Sequence, residues 1–332
     1  MGMLDGTVWD EAQVDAMEYA RFGGMSHPEV TDEQLDQASQ WHLMAYYVTD
    51  YFDVHYRTRR DLPGAQRFAS RLALFMPLET PGSPAGTPPP ANPAERGLAD
   101  LWRRIAPAMP RELRVRLRRN MSEYCDRYPQ ELWNAVHSRV PDLGEYSAQR
   151  VGTFGFKWTE DLLRHWVGPD LPPEDIFDTW QLREVSDIFA EAVAFQCDTL
   201  VYAGEAHTIA AFNNGVTVVQ RFLGPDGHSD PQRAGELLNN LATARLRRFE
   251  SLASREIPAM LEHHNVNAPQ RQALTTLLRW MRYIIGAAHE WLRRRQLEGT
   301  GLRLPTQPRK APTTLPTGPT GIGTSSLRGH LI

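Results

Sequence analysis

The chain has 332 residues, 41% of them hydrophobic, which is enough to bury one large core or two small ones. A formal net charge of −4 gives no sign of a nucleic-acid-binding surface, and two cysteines, Cys125 and Cys197, are too few for a disulfide framework. The N-terminus lacks the features of a secretory signal, and no stretch approaches the ~20 apolar residues of a membrane span. We therefore expect a cytoplasmic protein that binds no nucleic acid and does not cross a membrane.

The predicted elements are all helices. Thr31 is predicted to cap a helix with an acidic first turn, and this helix continues through the aromatic and aliphatic stretch 41–56. The residues 61–64 should end it, and the proline-rich segment 81–93 should be an irregular loop. Further helical segments are predicted at 65–76, 94–105, 111–136, 145–158, 179–206, 231–256 and 268–297. Since no strand alternation persists, the predicted fold class is all-α.

The domain organisation follows from composition. Residues 1–298 are predicted to form one helical domain, and the Pro-, Thr- and Gly-rich stretch 299–332 to be a disordered tail.

The predicted helix over 41–56 ends in two carboxylates, Asp50 and Asp53, with Arg57 just beyond them. Acids at a helix end are usually solvated, so surface ion pairs are one interpretation of this cluster. The other is a carboxylate site at the mouth of an apolar cavity, where oxygen ligands would hold a hard divalent cation.

The stretch Thr49-Asp50-Tyr51-Phe52-Asp53 resembles the aspartate-rich helix of bacterial class I terpene synthases, D-D-x-F/Y-D, with threonine at the first acidic position. The resemblance looks closest to the germacradienol/geosmin synthase branch, especially its C-terminal domain. It implies a bundle of mostly antiparallel helices around a deep apolar pocket. Family members usually carry a further segment upstream, so we expect either a misplaced start codon or a thinner lid here. Eight further segments match in chain order: 8–11, 59–62, 75–78, 92–102, 139–146, 153–155, 213–224 and 245–250.

The family's second metal motif, N-D-x-x-S-x-x-x-E, places three oxygen ligands along one helical face. One candidate match is Asn213, Thr217 and Arg221, in which the third residue is a cation that cannot ligate a metal. The other is Cys197, Val201 and Glu205, with Asp198 beside the first position. We prefer the second match because the segment 213–224 resembles the one that normally follows this motif. Cysteine and valine would then replace asparagine and serine.

The family's diphosphate-sensing pattern, R-R-x-T-x-G, is also altered. Val151 stands at the sensing position, and Arg150 precedes it. The basic run Arg293, Arg294 and Arg295 could supply charge near the last helix, but a solvated basic face is the preferred interpretation.

Two functions from different classes are consistent with this resemblance. The first is Mg²⁺-dependent ionisation and cyclisation of farnesyl or geranyl diphosphate through a non-standard ligand set. In that case Asp53 and Glu205 would be primary metal ligands, Asp50 and Asp198 their helpers, and Arg150 the diphosphate grip. The predicted pocket wall comprises Tyr46, Phe52, Phe154, Gly155, Phe195 and Trp291, with Tyr47, Phe156 and Trp158 as further candidates.

The second function is that of a catalytically silent relative, which binds a terpenoid or a partner synthase. Four altered site positions favour it: Thr49, Val151, Cys197 and Val201. Lost ligand-shell groups can each lower metal affinity or activity on the order of 10–100-fold. A homodimer is compatible with either function.

Overall fold

The computed structural model describes residues 2–78, 87–224 and 230–297, and within these ranges every regular element is a helix. The predicted all-α class is thereby confirmed. In chain order the α-helices are α1 Glu11–Met17, α2 Tyr19–Ser26, α3 Asp32–Phe52, α4 Leu62–Leu72, α5 Pro93–Ile105, α6 Arg111–Val136, α7 Leu143–Thr153, α8 Phe156–Val167, α9 Glu174–Phe177, α10 Trp180–Glu205, α11 Gly215–Leu223, α12 Pro231–Ser251, α13 Ile257–His263 and α14 Ala268–Leu297. The predicted tail 299–332 lies outside the described residues, as does part of the predicted loop 81–93.

Side-chain caps explain where several helices begin. Thr31 accepts a hydrogen bond from the backbone N–H of Gln34, whose side chain in turn accepts from the Thr31 N–H, which starts α3 as predicted. Asp142 and Glu145 form the same reciprocal box at α7. These pairs satisfy backbone donors that the first turn of a helix leaves without partners.

The predicted helix over 145–158 is in fact two helices, α7 and α8, which meet at Gly155. This residue has φ of 73°, a conformation that glycine adopts without steric cost. A Cβ atom there would lie 2.2 Å from Nε1 of Trp158, so glycine also gives that ring room to pack. The sequence pattern missed the break because the apolar spacing continues across it.

Two buried helices position the functional site. In α3, Trp41, Tyr47 and Phe52 are no more than 1% exposed, and in α10 an unbroken buried run extends from Ile188 to Leu200. A helix that is apolar on nearly every face belongs inside a larger bundle. The C-terminal ends of both helices line one cavity.

The N-terminal residues are held on α14. Trp291 donates through Nε1 to the carbonyl of Met17 at 3.1 Å, and Arg295 donates to the carbonyl of Ala16 at 2.9 Å. These contacts bring Met17 and Tyr19 to the cavity wall. In the part of the chain that the structure describes, no helix is long and apolar enough to cross a bilayer.

Candidate functional site

A cavity of about 190 Å³ lies between α2, α3, α6, α8, α10 and α14. At one end, which we call the mouth, it is lined by the acidic ends of α3 and α10 together with two arginines. The other end, which we call the inner end, is closed by Phe22, His42 and Trp158, all of them buried. A polar mouth and an apolar interior together suit an elongated ligand with a charged head.

The α3 wall follows from helical spacing. His42, Tyr46, Thr49 and Asp53 stand at positions i, i+4, i+7 and i+11, which bring their side chains to one face, and all four line the cavity. Eleven residues at 1.5 Å each place His42 about 16 Å from Asp53 along the helix axis. One helix therefore runs from the mouth to the inner end.

The two predicted carboxylates of α3 both line the mouth and both have partners. Asp50 accepts a hydrogen bond from Nε1 of Trp9 at 2.7 Å. Asp53 pairs with Arg57 at 2.9 Å, and this arginine lies in a π-helical turn, Asp53–Arg57, that continues α3. Both acids line the cavity, and both are half-buried and not fully solvated.

The mouth is crossed by a chain of alternating charges. From Asp53 it runs through Arg57 to Glu131 of α6 at 3.2 Å, and from Glu131 to Arg150 of α7 at 3.0 Å. Arg150 then forks onto Asp198 of α10, with Nε 3.1 Å from Oδ2 and Nη2 closer still to Oδ1. We call these five residues the ionic chain. It ties α3, α6, α7 and α10 together at the site.

Asp198 is the innermost member of the ionic chain and is 0% exposed. Besides Arg150, it accepts hydrogen bonds at 2.8 Å from the Tyr146 hydroxyl and from the backbone N–H of Gly215. Burial raises the pKa of the Asp198 carboxyl above its usual value, while Arg150 opposes that rise. Asp198 is not among the residues that line the cavity, so its oxygens serve the protein interior.

The α10 wall matches the preferred position of the second motif. Cys197, Val201 and Glu205 lie at i, i+4 and i+8, and all three line the cavity. Glu205 accepts a hydrogen bond from Nδ2 of Asn214 at 3.2 Å. Burial raises the pKa of the Cys197 thiol, so this side chain is neutral at physiological pH. Of the competing match, only Asn213 reaches the cavity, where it is hydrogen-bonded to Asn134.

The other altered positions are accounted for by neighbouring contacts. Thr49 lines the cavity, and its hydroxyl lies 2.7 Å from that of Tyr128 and 3.2 Å from that of Tyr124. Val151 is half-buried and lies outside the cavity wall, whereas the adjacent Arg150 lies within it.

The aromatic wall differs in part from the predicted one. Tyr46, Phe154 and Trp291 line the cavity, as do the further candidates Phe156 and Trp158. The wall also contains aromatic residues that were not predicted, namely Tyr19, Phe22, Tyr124 and Tyr128.

Four other candidates lie elsewhere. Phe52 packs on Tyr128 in the core, and Phe195 stacks on Tyr146 in a separate cluster, because each lies on a face of its helix turned away from the cavity. Tyr47 is likewise in the core, and Gly155 forms the α7–α8 junction.

Sequence reasoning did not single out His42 or Glu131 of the wall, and it named Arg57 only as part of the charged cluster at the end of the predicted helix. The position of His42 on the Tyr46–Asp53 face was a usable signal. Nothing local indicated Glu131, because it comes from α6 and meets Arg57 only through packing.

The carboxylate oxygens at the mouth are of the type that binds divalent cations, but few of them are available. Four carboxylates and two guanidinium groups line the cavity, for a formal net charge of −2, and carboxylate oxygens are the ligands that Mg²⁺ prefers. Within 2–78, 87–224 and 230–297, however, no group of three or more His, Cys, Asp or Glu side chains converges as a metal site. Asp50, Asp53 and Glu205 thus offer carboxylate oxygens at the mouth without forming a complete ligand set among the described residues.

The chain is similar to several known proteins. Pentalenene synthase of Streptomyces exfoliatus is 26% identical over 281 residues, covering 83% of this chain and 77% of that protein. The structure of germacradien-4-ol synthase from Streptomyces citricolor is similar with a TM-score of 0.72 at 21% identity, covering 86% of each chain. That of linalool/nerolidol synthase from Streptomyces clavuligerus, in complex with 2-fluorogeranyl diphosphate, has a TM-score of 0.69 at 18% identity and covers 87% of this chain and 93% of that one.

The two structural similarities establish a class I terpene synthase fold. The family model described as terpene synthase family 2, C-terminal metal binding, matches residues 40–248, more than half of the chain and including both acidic helix ends. The chain therefore belongs to terpene synthase family 2.

Proposed function

We propose that this protein is a terpene cyclase that ionises a prenyl diphosphate, farnesyl or geranyl diphosphate, with Mg²⁺ held by a reduced set of ligands. The observation that carries the proposal is a single cavity with carboxylates from both α3 and α10 at its mouth and aromatic rings along its depth. Three earlier expectations stay predictions: the specific likeness to the germacradienol/geosmin synthase branch, the cytoplasmic location and the homodimer.

Both cysteines are buried and free, which suits a reducing compartment.

Electrostatics at the mouth support cation-assisted binding of an anion. Because the wall carries a formal net charge of −2, a bare diphosphate would be repelled, and it would need positive charge to enter with it. Asp50 and Asp53 from α3 and Glu205 from α10 would hold Mg²⁺, which neutralises charge that develops on a departing diphosphate. Arg57 and Arg150, which also line the cavity, would donate hydrogen bonds to diphosphate oxygens.

The cavity interior suits a carbocation. Rings of Tyr46, Phe156 and Trp291 line it from three different helices, and aromatic faces attract cations. The same walls exclude water, which would otherwise capture the cation as an alcohol. The chain's own residues would thus bind the head group, shape the hydrocarbon and keep the reaction dry.

The test is incubation of the purified protein with geranyl, farnesyl and geranylgeranyl diphosphates in the presence of Mg²⁺. We expect release of inorganic diphosphate together with a hydrocarbon or terpene alcohol from at least one substrate. Asp53→Asn should reduce release by about 10- to 100-fold, whereas Asp36→Asn, on the exposed side of the same helix, should leave it unchanged. No release from any of the three substrates would overturn the proposal.

The ionic chain favours a second function, that of a silent relative that binds a terpenoid or a partner synthase. Arg57 and Arg150 already satisfy Asp53, Glu131 and Asp198, so the mouth is held together without a metal ion. Cys197 and Val201 add no metal donor from α10. Thermal unfolding separates the two functions, because a ligand raises the Tm only if it binds the folded state. Stabilisation by farnesol but not by Mg²⁺ with diphosphate would favour the silent relative.

A further inference from the structure

His42 is an imidazole at the inner end of the cavity, far from the carboxylates of the mouth. Its side chain is packed by Phe22 and Trp158, with ring centroids 5.3 and 5.6 Å from its own, and it is only 9% exposed. Among the cavity-lining residues that the structure describes, it is the one histidine. An ionisable ring in an apolar, aromatic enclosure calls for a chemical explanation.

The backbone determines which nitrogen of His42 carries the proton. Nδ1 lies 2.8 Å from the carbonyl oxygen of Ala38, one turn earlier in α3. A carbonyl oxygen can only accept, so Nδ1 must donate, and in a neutral ring Nε2 is then an unprotonated acceptor. Burial lowers the pKa of His42 to about 4, against a smaller opposing effect of this hydrogen bond, so the ring is neutral at physiological pH.

The Nε2 atom is the nitrogen left for a ligand. The described residues provide no hydrogen bond to it, and it is not enclosed in the way that Nε2 of the neighbouring His27 is. His27 lies 5.5 Å away by ring centroids, is held through Nδ1 by the Ser26 hydroxyl at 2.8 Å, and is absent from the cavity wall. His27 is therefore a suitable comparison for His42, because both rings are buried and only His42 lines the cavity.

We propose that Nε2 of His42 is the base that ends the reaction, taking a proton from a carbocation at the inner end of the cavity. The inference rests on the proposed function, since it needs an ionised substrate. A C–H bond next to the cationic carbon breaks, and its electron pair forms the C=C bond of the product. Nε2 takes the proton, and the resulting imidazolium passes it to water or to released diphosphate when the cavity opens.

His42 is better placed to act as this base than any other side chain of the cavity wall. The hydroxyls of Tyr46 and Tyr124 and the thiol of Cys197 are kept protonated, since burial raises the pKa of each. The carboxylates stand at the other end, with Asp50 about 12 Å from His42 along α3. A neutral imidazole is basic enough for a C–H beside a carbocation. Its depressed pKa also ensures that it gives the proton up again.

The test compares His42→Phe with the parent protein in two readouts from one incubation with a prenyl diphosphate and Mg²⁺. Diphosphate release should change by less than about 3-fold, because the proposed ionisation takes place at the mouth and does not use His42. The share of the main hydrocarbon product should fall at least about tenfold, in favour of products deprotonated at another carbon or captured by water. His27→Phe is the matched control, because it removes a neighbouring buried histidine that does not reach the cavity.

The possible outcomes separate the inference from the proposed function. If the parent releases no diphosphate, both fall. If it does and the folded His42→Phe variant gives the parent's products in the parent's ratio, the base role alone is overturned. Long-range ¹H–¹⁵N NMR of the parent can refute the proposal even if the variant does not fold. Nε2 of His42 must be unprotonated, and a proton found on Nε2 would refute the proposal.

Discussion

Replacing Arg150 by methionine should strongly destabilise the fold. Asp198 is 0% exposed. Once Arg150 is removed, the described residues leave its carboxylate two hydrogen-bond donors, the Tyr146 hydroxyl and the backbone N–H of Gly215. Glu131 keeps its contact with Arg57. Removing one partner of a buried ion pair typically costs about 3–5 kcal/mol, because the other charge stays buried without compensation. We expect a loss of that size in the free energy of unfolding, measured by urea denaturation at pH 7.5.

The double variant Arg150→Met, Asp198→Asn should be more stable than Arg150→Met alone, by about 1.5 kcal/mol or more, since no carboxylate is then stranded. Arg279→Met is the control. It breaks a pair with Glu29 whose side chains are 35% and 36% exposed, and it should cost no more than about 1 kcal/mol.

A pH signature identifies the stranded carboxylate as the cause. Without Arg150, the pKa of Asp198 in the folded state rises further above its value in the unfolded state. At pH values between these two pKa values, the folded state therefore binds more protons than the unfolded state. Stability of the variant relative to the parent should therefore improve as the pH falls from 7.5 to 5. A loss below about 1 kcal/mol, or a double variant no more stable than the single one, would refute the reasoning.

Three further predictions concern the cavity and its walls. Burial lowers the pKa of His42 to about 4 and that of His27 to about 3. Below pH 6.5 the unfolded state thus binds more protons than the folded state, and each histidine should lower the free energy of unfolding by about 2 kcal/mol at pH 5. The Tm should therefore fall as the pH is lowered, and His42→Phe should reduce this fall. Gly155→Ala should cost about 1–3 kcal/mol in urea, because φ is 73° and the new Cβ would meet Trp158; a loss under 0.5 kcal/mol would be contrary to this account. Restoring the family pattern at the cavity wall should raise Mg²⁺-dependent diphosphate release while lowering the Tm of the ligand-free protein. If the variant folds, binds Mg²⁺ and releases no more than the parent, either the α10 motif is misassigned or the pocket has been rebuilt. The variant is Thr49→Asp, Cys197→Asn and Val201→Ser; Val151 is left unchanged because it lies outside the cavity wall.

Local interactions made much of the helical fold predictable. The start of α3 could be predicted because Thr31 and Gln34 cap each other within four residues. Its interior could be predicted because a run that is apolar on every face must be buried. The cavity face of α3 could also be predicted, since Asp53 follows Tyr46 by seven residues, or two helical turns. The cavity face of α10 could be predicted from the i, i+4 and i+8 spacing of Cys197, Val201 and Glu205.

Tertiary packing alone decided what these faces do. Asp198 carries the sequence signature of a site residue, yet it lies beneath the wall because Arg150, Tyr146 and the Gly215 backbone reach it from two other helices. Glu131 joins the mouth for the same reason, through an arginine 74 positions away in sequence. By itself the sequence determined most of the long helices, the buried faces of α3 and α10 and the acidic ends of these two helices. Which of those acids face the cavity and which are bound by arginine depended on contacts between distant segments, and no local pattern encodes those.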